Sequence, residues 1–276
     1  MADLSRILQI EGATDPGLVR DHNEDAIGFD PMLGFAVLAD GMGGYLAGEV
    51  ASGMAIEMML HVVRGALQSR SAHQLVDAEP YGHQVLEDAV QQANAAIYGT
   101  ALSQPQCAGM GTTVVATLFY DDRVLAAHVG DSRLYRLRGE MLEQLTRDHS
   151  FLQEQIDSGL ITPEEARHSQ NRNLVTRAVG IDPLAEVELA EHPVEVGDLY
   201  LLCSDGLTDM LDDEHIADLL VAMRANLPLA AQQLVLAAND AGGRDNISVL
   251  LIEVKKPFPG KGAIWTKVSS LLRGTR

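Results

Sequence analysis

The sequence has few cysteines and few bases. Only Cys107 and Cys203 occur among 276 residues, and they form no CxxC pair, so neither a zinc cage nor a disulfide framework is expected. Lys and Arg number 20 against 39 Asp and Glu, which gives a net charge of −19. This excess of acid argues against a general nucleic-acid binder, because the phosphate backbone would be repelled.

Long apolar runs are also missing. No run approaches the roughly 18 residues of a membrane-spanning helix, and residues 1–11 lack the apolar stretch of a signal peptide. Two cysteines in a chain of this size suit a reducing compartment. We therefore expect a cytoplasmic protein.

What is present is typical of a globular domain, with 46% hydrophobic and 21% charged residues. The charge changes sign near the C-terminus. We expect one domain over 1–254 and a basic tail over 255–276, because Pro257, Pro259 and Gly260 interrupt regular structure at the junction. The tail contains no acid, and its bases are Lys255, Lys256, Lys261, Lys267, Arg273 and Arg276.

The tail has an amphipathic pattern. Five apolar residues fall on one helical face. Such a segment suits an anionic membrane surface or a partner groove; docking on this protein's own acidic domain, or lack of order, are equally open. The five are Ile264, Trp265, Val268, Leu271 and Leu272.

Hydrophobic periodicity predicts a mixed α+β fold with antiparallel sheets, because strands cluster in groups and strict βαβ alternation is absent. Val50, Met54, Met58 and Val62 recur at i+4 spacing and predict the buried stripe of the first helix. The predicted strands are 7–10, 34–39, 112–120, 123–129, 134–137, 187–189, 199–203 and 247–254, and the predicted helices are 47–68, 82–102, 151–158, 213–224 and 229–241.

Aspartate recurs at the ends of apolar strands. Asp40, Asp131 and Asp205 each follow such a run beside a glycine, and Asp245 precedes one. Each Asp-Gly pair can be read as a simple turn. Carboxylates that converge from several strand ends instead repel one another unless cations lie between them, and oxygen ligands suit Mg²⁺ or Mn²⁺. Arg20 likewise suits either an ion pair or a phosphate.

Six ordered motifs resemble those of the bacterial metal-dependent type 2C (PPM family) serine/threonine protein phosphatases, over roughly residues 9–254. They are Val19-Arg20-Asp21-His22-Asn23-Glu24-Asp25, Asp40-Gly41-Met42-Gly43-Gly44 with Gly48-Glu49-Val50-Ala51-Ser52, Gly109-Met110-Gly111-Thr112-Thr113, Gly130-Asp131-Ser132-Arg133, Ser204-Asp205-Gly206-Leu207 and Gly243-Arg244-Asp245-Asn246. The resemblance implies a four-layer α-β-β-α sandwich of two antiparallel sheets with the site at one end.

The resemblance also implies a ligand set for two Mn²⁺ or Mg²⁺ ions. Asp40 would bridge both ions, and the Gly41 carbonyl would complete one of them. Asp205 and Asp245 would complete the other, and Asp131 with Asp205 would form a weaker third site. Glu24 and Asp25 would hold metal-bound waters, and Arg20 would grip the phosphate.

The implied reaction is hydrolysis of phosphoserine and phosphothreonine in proteins by a metal-bridging hydroxide, which would oppose a bacterial Ser/Thr kinase. Animal members carry a histidine as proposed general acid where this chain has Met42. A metal-bound water would replace it, or His149 or His168 would move in, although surface positions are expected for both histidines. Residues 146–180 resemble the flap subdomain of bacterial members, and we expect a monomer.

Two other functions remain open. One is a non-catalytic phosphoprotein-binding module on the same fold, which a broken acidic set would favour. The other is a two-metal phosphodiesterase or nuclease, against which the net charge and the missing basic track argue.

Overall fold

The computed structural model describes residues 3–44, 46–162, 165 and 174–258. Within these ranges two large antiparallel sheets dominate, which confirms the predicted fold class. The first sheet contains β1 (Leu8–Asp15), β9 (Arg133–Arg138), β10 (Met141–Gln144), β12 (Leu199–Cys203) and β13 (Ile247–Val254), in the spatial order β1-β13-β12-β9-β10.

The second sheet has the order β11-β8-β7-β3-β2, and the short β6 pairs with the end of β3. Its strands are β2 (Asp25–Asp30), β3 (Phe35–Met42), β6 (Gly111–Thr112), β7 (Val114–Tyr120), β8 (Arg123–Val129) and β11 (Glu188–Pro193). A separate two-residue ladder joins β4 (Leu75–Val76) and β5 (Glu79–Pro80).

The described helices fall into two pairs and two short elements. They are α1 (Ala47–Ser69), α2 (Tyr81–Ser103), α3 (Phe151–Asp157), α4 (Asp205–Thr208), α5 (Asp213–Met223) and α6 (Leu227–Asp240). Helices α1 and α2 pack on each other, and α1 covers β2 and β3. Helices α5 and α6 pack on each other on the far side of the first sheet, where α6 contacts β1 and β13.

Three apolar layers hold this sandwich together. In β3 Phe35 and Val37 face α1 and α2, whereas Leu38 faces the other sheet. In β12 Tyr200 lies between the sheets and Leu201 faces α5 and α6. Both faces of the central strands are therefore buried, which explains why they appear in the sequence as continuous apolar runs rather than alternating ones.

Chain direction brings several strand ends to one edge. Asp40 lies near the end of β3, and Thr113 directly precedes β7, which pairs with it in antiparallel fashion. Asp131 and Asp205 follow the ends of β8 and β12, and Asp245 precedes β13. Because neighbouring antiparallel strands alternate in direction, all of these positions occur at the same end of the sandwich.

Most predicted elements are confirmed within one to three residues, but β2, β10 and the two-residue strands β4 and β5 are missed. β2 contains Asp and Gly, which have low strand propensity, and β10 is short and polar. Both segments are strands because β2 pairs with β3 and β10 pairs with β9. Asp121-Asp122 and Gly139-Glu140 close the hairpins β7–β8 and β9–β10. Both cysteines are free and buried.

The buried stripe predicted for α1 is wrong by one position. Val50 is 39% exposed, and Met54, Met58 and Val62 are only partly buried. The fully buried face lies one residue later, because the helix enters the sandwich with its small residues toward β3. That face contains Ala51, Ala55, Met59 and Val63.

Helix α1 also has the length and mean hydropathy, 1.3, of a helix that could cross a membrane. Its apolar character has a use within the fold, since it packs on α2, β2 and β3.

The corrected register of α1 is tested by a matched pair of substitutions. Met59→Ala is expected to lower the free energy of unfolding by about 2–5 kcal/mol, because it leaves a cavity in a fully buried layer. Val50→Ala is expected to change it by no more than about 0.5 kcal/mol. Urea unfolding followed by circular dichroism measures both; equal losses in the two variants would contradict this register.

Candidate metal centre

Seven of the eight predicted site residues line one cavity of about 220 Å³ at the edge where the strand ends meet. The eighth, Asp25, lies directly beneath it. We call this space the acidic cavity. It is lined by Arg20, Glu24, Asp40, Gly41, Met42, Gly43, Thr113, Asp131, Val175, Asp205, Asp245 and Asn246.

Asp40 is held by two threonines. Its backbone N–H donates to Thr113 Oγ1 at 3.1 Å, and its carbonyl accepts from Thr112 Oγ1 at 2.8 Å. Thr113 Oγ1 lies 2.7 Å from the hydroxyl of Ser132, beside Asp131. These hydroxyls fix the main chain around Asp40, a role that no pattern in the sequence predicts.

Asp25 lies opposite Asp40 in the β2–β3 ladder. Its Oδ2 accepts from Ser204 Oγ at 2.8 Å, whereas its Oδ1 is buried without a hydrogen-bond partner among the described residues. Burial raises the pKa of Asp25 to about 7, and the side chains of Ser248 and Ser204 only partly offset it. A buried acceptor without a donor is a group that a cation or an ordered water would satisfy.

The turn interpretation fails for two of the Asp-Gly pairs. Asp40 and Gly41 belong to β3, and Asp205 begins the short helix α4. Close packing explains both glycines. A Cβ on Gly41 would lie 2.1 Å from the carbonyl oxygen of Gly48, and one on Gly206 would lie 2.0 Å from that of Asn246.

Arg20 and Asp245 form an ion pair with Arg20 Nη2 and Asp245 Oδ2 2.6 Å apart. The Arg20 side chain is 51% exposed and lines the acidic cavity, so its remaining N–H donors are open to a ligand there. The ion-pair interpretation is therefore correct for this residue, and it does not exclude a contact with an anion.

Asn246 connects the N-terminal segment to the cavity. Its Oδ1 accepts from Glu24 N–H at 2.8 Å, and its Nδ2 donates to the carbonyls of Pro16 at 3.0 Å and His22 at 2.9 Å. These bonds hold Arg20 and Glu24 close to Asp245. Asn246 belongs to one of the six sequence motifs, but its role in holding this segment was not predicted.

Glu24 contacts the beginning of α1. Its carboxylate packs against Gly48, where a Cβ would lie 2.7 Å from Glu24 Cδ. Burial raises the pKa of Glu24, while Arg20 and the N–H of Gly48 favour its charged form. The N-cap residue of α1 makes no side-chain hydrogen bond to the N–H groups at the beginning of the helix. Glu24 therefore also supplies the negative charge that a helix N-terminus favours.

The carboxylates repel one another. Burial and the charges of Asp25, Asp205, Asp131 and Asp245 raise the pKa of Asp40 well above its ordinary range. Burial together with Asp131 and Asp209 raises that of Asp205 in the same way.

For Asp131, burial and the charge of Asp148 raise the pKa to about 6. Oxygen donors around a space of this size, with mutually destabilised negative charges, fit hard divalent cations. The residues present therefore fit Mn²⁺ or Mg²⁺.

Asp209 is a carboxylate that sequence reasoning missed. It directly follows α4, four residues after Asp205, and its charge raises the pKa of Asp205. The signal in the sequence is the i+4 spacing of two aspartates, which places both on one face of a helical turn.

His149, one of the two histidines considered as alternatives to a metal-bound water, does not line the acidic cavity. Met42 lines the cavity, as expected, and carries no proton to give. His149 is buried rather than on the surface. Both of its ring nitrogens lie within hydrogen-bond distance of other groups, Gly130 and Glu188, so a movement into the cavity would break these contacts. His168 lies outside the described residues.

Comparison with known proteins identifies the family. The sequence model of the family Protein phosphatase 2C matches residues 19–237, most of the chain, although Asp245 lies beyond the match. The chain belongs to this family.

Serine/threonine protein phosphatase PstP of Mycobacterium tuberculosis is 39% identical over 256 residues, which are 92% of this chain and 46% of PstP. The chain thus spans about half the length of that relative. Serine/threonine phosphatase stp of Listeria monocytogenes is 36% identical over 262 residues, which are 93% of this chain and 100% of stp.

A solved structure has the same fold. The crystal structure of the catalytic domain of PstP in complex with 2 manganese ions superposes with a TM-score of 0.79 at 36% identity, and covers 91% of this chain and 99% of that one. The four-layer sandwich implied by the sequence motifs is therefore confirmed.

The repulsion in the acidic cavity predicts how stability depends on pH. Because the folded pKa values of Asp25, Asp40, Asp131 and Asp205 are raised, the folded state holds more protons than the unfolded state above about pH 4. Metal-free protein is expected to lose of order 1–3 kcal/mol of stability between pH 6 and pH 8.

Calorimetry in a chelator measures this loss, and Asp40→Asn is the matched variant. We expect the variant to lose less stability than wild type over the same interval and to gain little from added Mn²⁺. A pH dependence that is the same in both proteins would contradict repulsion as the cause.

Proposed function

We propose that this chain is a Mn²⁺- or Mg²⁺-dependent phosphatase that hydrolyses phosphoserine and phosphothreonine in proteins. The observation that carries the proposal is the convergence of Asp40, Asp205 and Asp245 on one cavity that also contains an arginine side chain. Membership of the protein phosphatase 2C family supports it. The relatives in Mycobacterium and Listeria support it too, since they are named as serine/threonine phosphatases.

We assign the ligands as the sequence motifs imply. Asp40 would hold both ions, with the Gly41 carbonyl as a further ligand of one and Asp205 and Asp245 as further ligands of the other. Asp131 with Asp205 would hold a weaker third ion. Glu24 and Asp25 would orient waters around the ions; the pairing of Asp25 with Asp40 and the position of Glu24 on the cavity wall support this role.

When bound, the ions supply positive charge and lower the pKa of water, so that hydroxide is available for attack on phosphorus near neutral pH. Arg20 binds the oxygens of the phosphoryl group and compensates their charge. Its ion pair with Asp245 holds the guanidinium at the cavity, so less rotamer freedom is lost on binding substrate. The alkoxide of serine or threonine then takes a proton from solvent-derived water, since Met42 has none to give.

The alternative of a non-catalytic binding module on the same fold is disfavoured because its distinguishing feature, a broken acidic set, is missing. Asp40, Asp205 and Asp245 all line the cavity. A nuclease is disfavoured by the net charge of −19, which repels a nucleic-acid backbone.

The cellular context remains a proposal. We propose a cytoplasmic monomer that acts against a cognate Ser/Thr kinase. Two free, buried cysteines support a reducing compartment. The relatives in bacteria are named as serine/threonine phosphatases, which supports the action against such a kinase.

We also propose that 1–254 is the catalytic domain, with a flap at about 146–180, and that 255–276 is a basic, amphipathic C-terminal tail. β13 ends at Val254, and the described chain then continues to Phe258, which stacks on Phe119 with ring centroids 6.4 Å apart. Phe119 lies six residues along β7 from Thr113, so the tail leaves the domain about 20 Å from the acidic cavity. That distance supports a role outside catalysis.

Aspartate substitutions test the proposed reaction. Asp40→Ala and Asp205→Ala are each expected to leave under about 1% of wild-type turnover of a phosphothreonine peptide with Mn²⁺, because the cations lose a shared ligand. Chelation is expected to abolish phosphate release. The control is Glu57→Gln on the exposed face of α1, which should keep full activity. Retained turnover in either aspartate variant refutes the ligand assignment.

The tail is tested by sedimentation with vesicles. If 255–276 contacts anionic membranes, the full chain pellets with vesicles of phosphatidylglycerol and a chain truncated after Phe258 does not, while both hydrolyse the peptide at equal rates. Binding that survives truncation, or no binding by the full chain, counts against a membrane role.

A further inference from the structure

A histidine cluster lies beside the acidic cavity and takes no part in the proposed reaction. The rings of His128 and His149 stack with centroids 4.5 Å apart. His149 Nε2 lies 3.3 Å from Glu188 Oε2. His128, on β8, is the ladder partner of Glu188 on β11. Ligand atoms of the three residues lie within 4.8 Å of one another, a spacing that could hold a metal ion.

The hydrogen bonds of His149 argue against a metal ion there. The backbone N–H of Gly130 donates to Nδ1 at 3.2 Å, so Nδ1 carries the lone pair and the proton of the neutral ring is on Nε2. A metal on Nε2 would need both ring nitrogens deprotonated. Arg177 Nη1 also lies 3.4 Å from Nε2, and a guanidinium at that distance repels a cation. The cluster is therefore bound by hydrogen bonds.

The same bonds place His149 between two walls of the acidic cavity. The backbone N–H of His149 donates to the carbonyl of Gly130 at 2.9 Å. Both backbone groups of Gly130 are therefore hydrogen-bonded to His149. Gly130 has a φ of 109°, a conformation that favours glycine, and it directly precedes Asp131. The direction in which Asp131 leaves β8 is thus set at Gly130.

The second wall is reached through the carbonyl of His149, which accepts from Thr176 N–H at 2.8 Å. Thr176 follows Val175, which lines the cavity and forms an isolated bridge with Ser150. Ser150 in turn accepts from Gln153 N–H at the beginning of α3. His149 therefore joins the end of β8, the segment around Val175 and, through Glu188, strand β11.

We propose that His149 is a positioning residue of the acidic cavity, whose Nδ1 fixes the backbone of Gly130 and thereby holds the Asp131 carboxylate where a divalent cation binds. The part that concerns cations rests on the proposed metal site; the part that concerns Gly130 does not. His149 makes three hydrogen bonds to Gly130 and Thr176, and two of them come from its main chain. Only the bond to Nδ1 involves the side chain, so a substitution of His149 can remove that bond alone.

Two substitutions by amide side chains distinguish the roles of the two ring nitrogens of His149. In His149→Asn the Oδ1 atom stands at the same bond distance from Cβ as Nδ1 and can accept from Gly130. In His149→Gln the amide reaches toward Glu188 instead and leaves the Gly130 N–H without its acceptor. Both variants are polar and uncharged, so a difference between them reports the bond to Gly130.

Metal-free protein gives the first readout, by hydrogen exchange of the Gly130 amide in NMR. We expect exchange at least about tenfold faster in His149→Gln and within about threefold of wild type in His149→Asn. Calorimetric titration with Mn²⁺ gives the second readout. The weakest Mn²⁺ site is expected to lose about tenfold in affinity in His149→Gln only.

Asp131→Asn completes the test. In that background His149→Gln should cause no further loss of Mn²⁺ affinity, because the two changes act on one site. Equal behaviour of the Asn and Gln variants, or wild-type exchange and Mn²⁺ affinity in His149→Gln, overturns the proposal. If His149→Gln does not fold, the scalar coupling between the Gly130 amide nitrogen and His149 Nδ1 in wild type decides, and its absence is contrary evidence.

Activity separates this proposal from the proposed function. With phosphothreonine peptide, His149→Gln is expected to lower kcat at limiting Mn²⁺ and to recover with excess Mn²⁺, at an unchanged KM. If wild type releases no phosphate while the exchange and titration results hold, the proposed function fails and the role of His149 stands.

Discussion

Mutual repulsion among buried carboxylates is the constraint on which the rest of this structure depends. Asp25, Asp40, Asp131 and Asp205 come from different parts of the chain. Burial first, and the charges of neighbouring carboxylates second, raise the pKa of each of them. A protein keeps such an arrangement at a cost in stability. Cations that bind between the charges turn that cost into binding free energy.

The sandwich makes the arrangement rigid. Antiparallel strands deliver their ends to one edge, and three apolar layers behind that edge prevent the carboxylates from moving apart. Hydroxyls of Thr112 and Thr113 and the amide of Asn246 fix the main chain next to the acids. Packing and backbone hydrogen bonds thus offset the repulsion, and within the described part of the chain Arg20 and Arg133 add positive charge next to Asp245 and Asp131.

The sequence predicts more of the site than of the details that support it. Asp40, Asp205 and Asp245 could be found because a carboxylate that interrupts or precedes a buried strand breaks the hydrophobic pattern in a recognisable way. Thr113 and the bonds of His149 could not, since each depends on which strand ends become neighbours in space. For the same reason β2 was missed: pairing with β3, rather than propensity, makes it a strand. The one-residue error in α1 arose because small residues, which carry little hydrophobic signal, form its buried face.

Anomalous diffraction from crystals grown with Mn²⁺ tests the central claim most directly. The account predicts two strong manganese peaks in the acidic cavity, in contact with Asp40 and flanked by Asp205 and Asp245, and their loss in Asp40→Asn. If no manganese peak appears in the acidic cavity at a saturating concentration of Mn²⁺, or if peaks appear only elsewhere on the molecule, the claim of a metal site is contradicted.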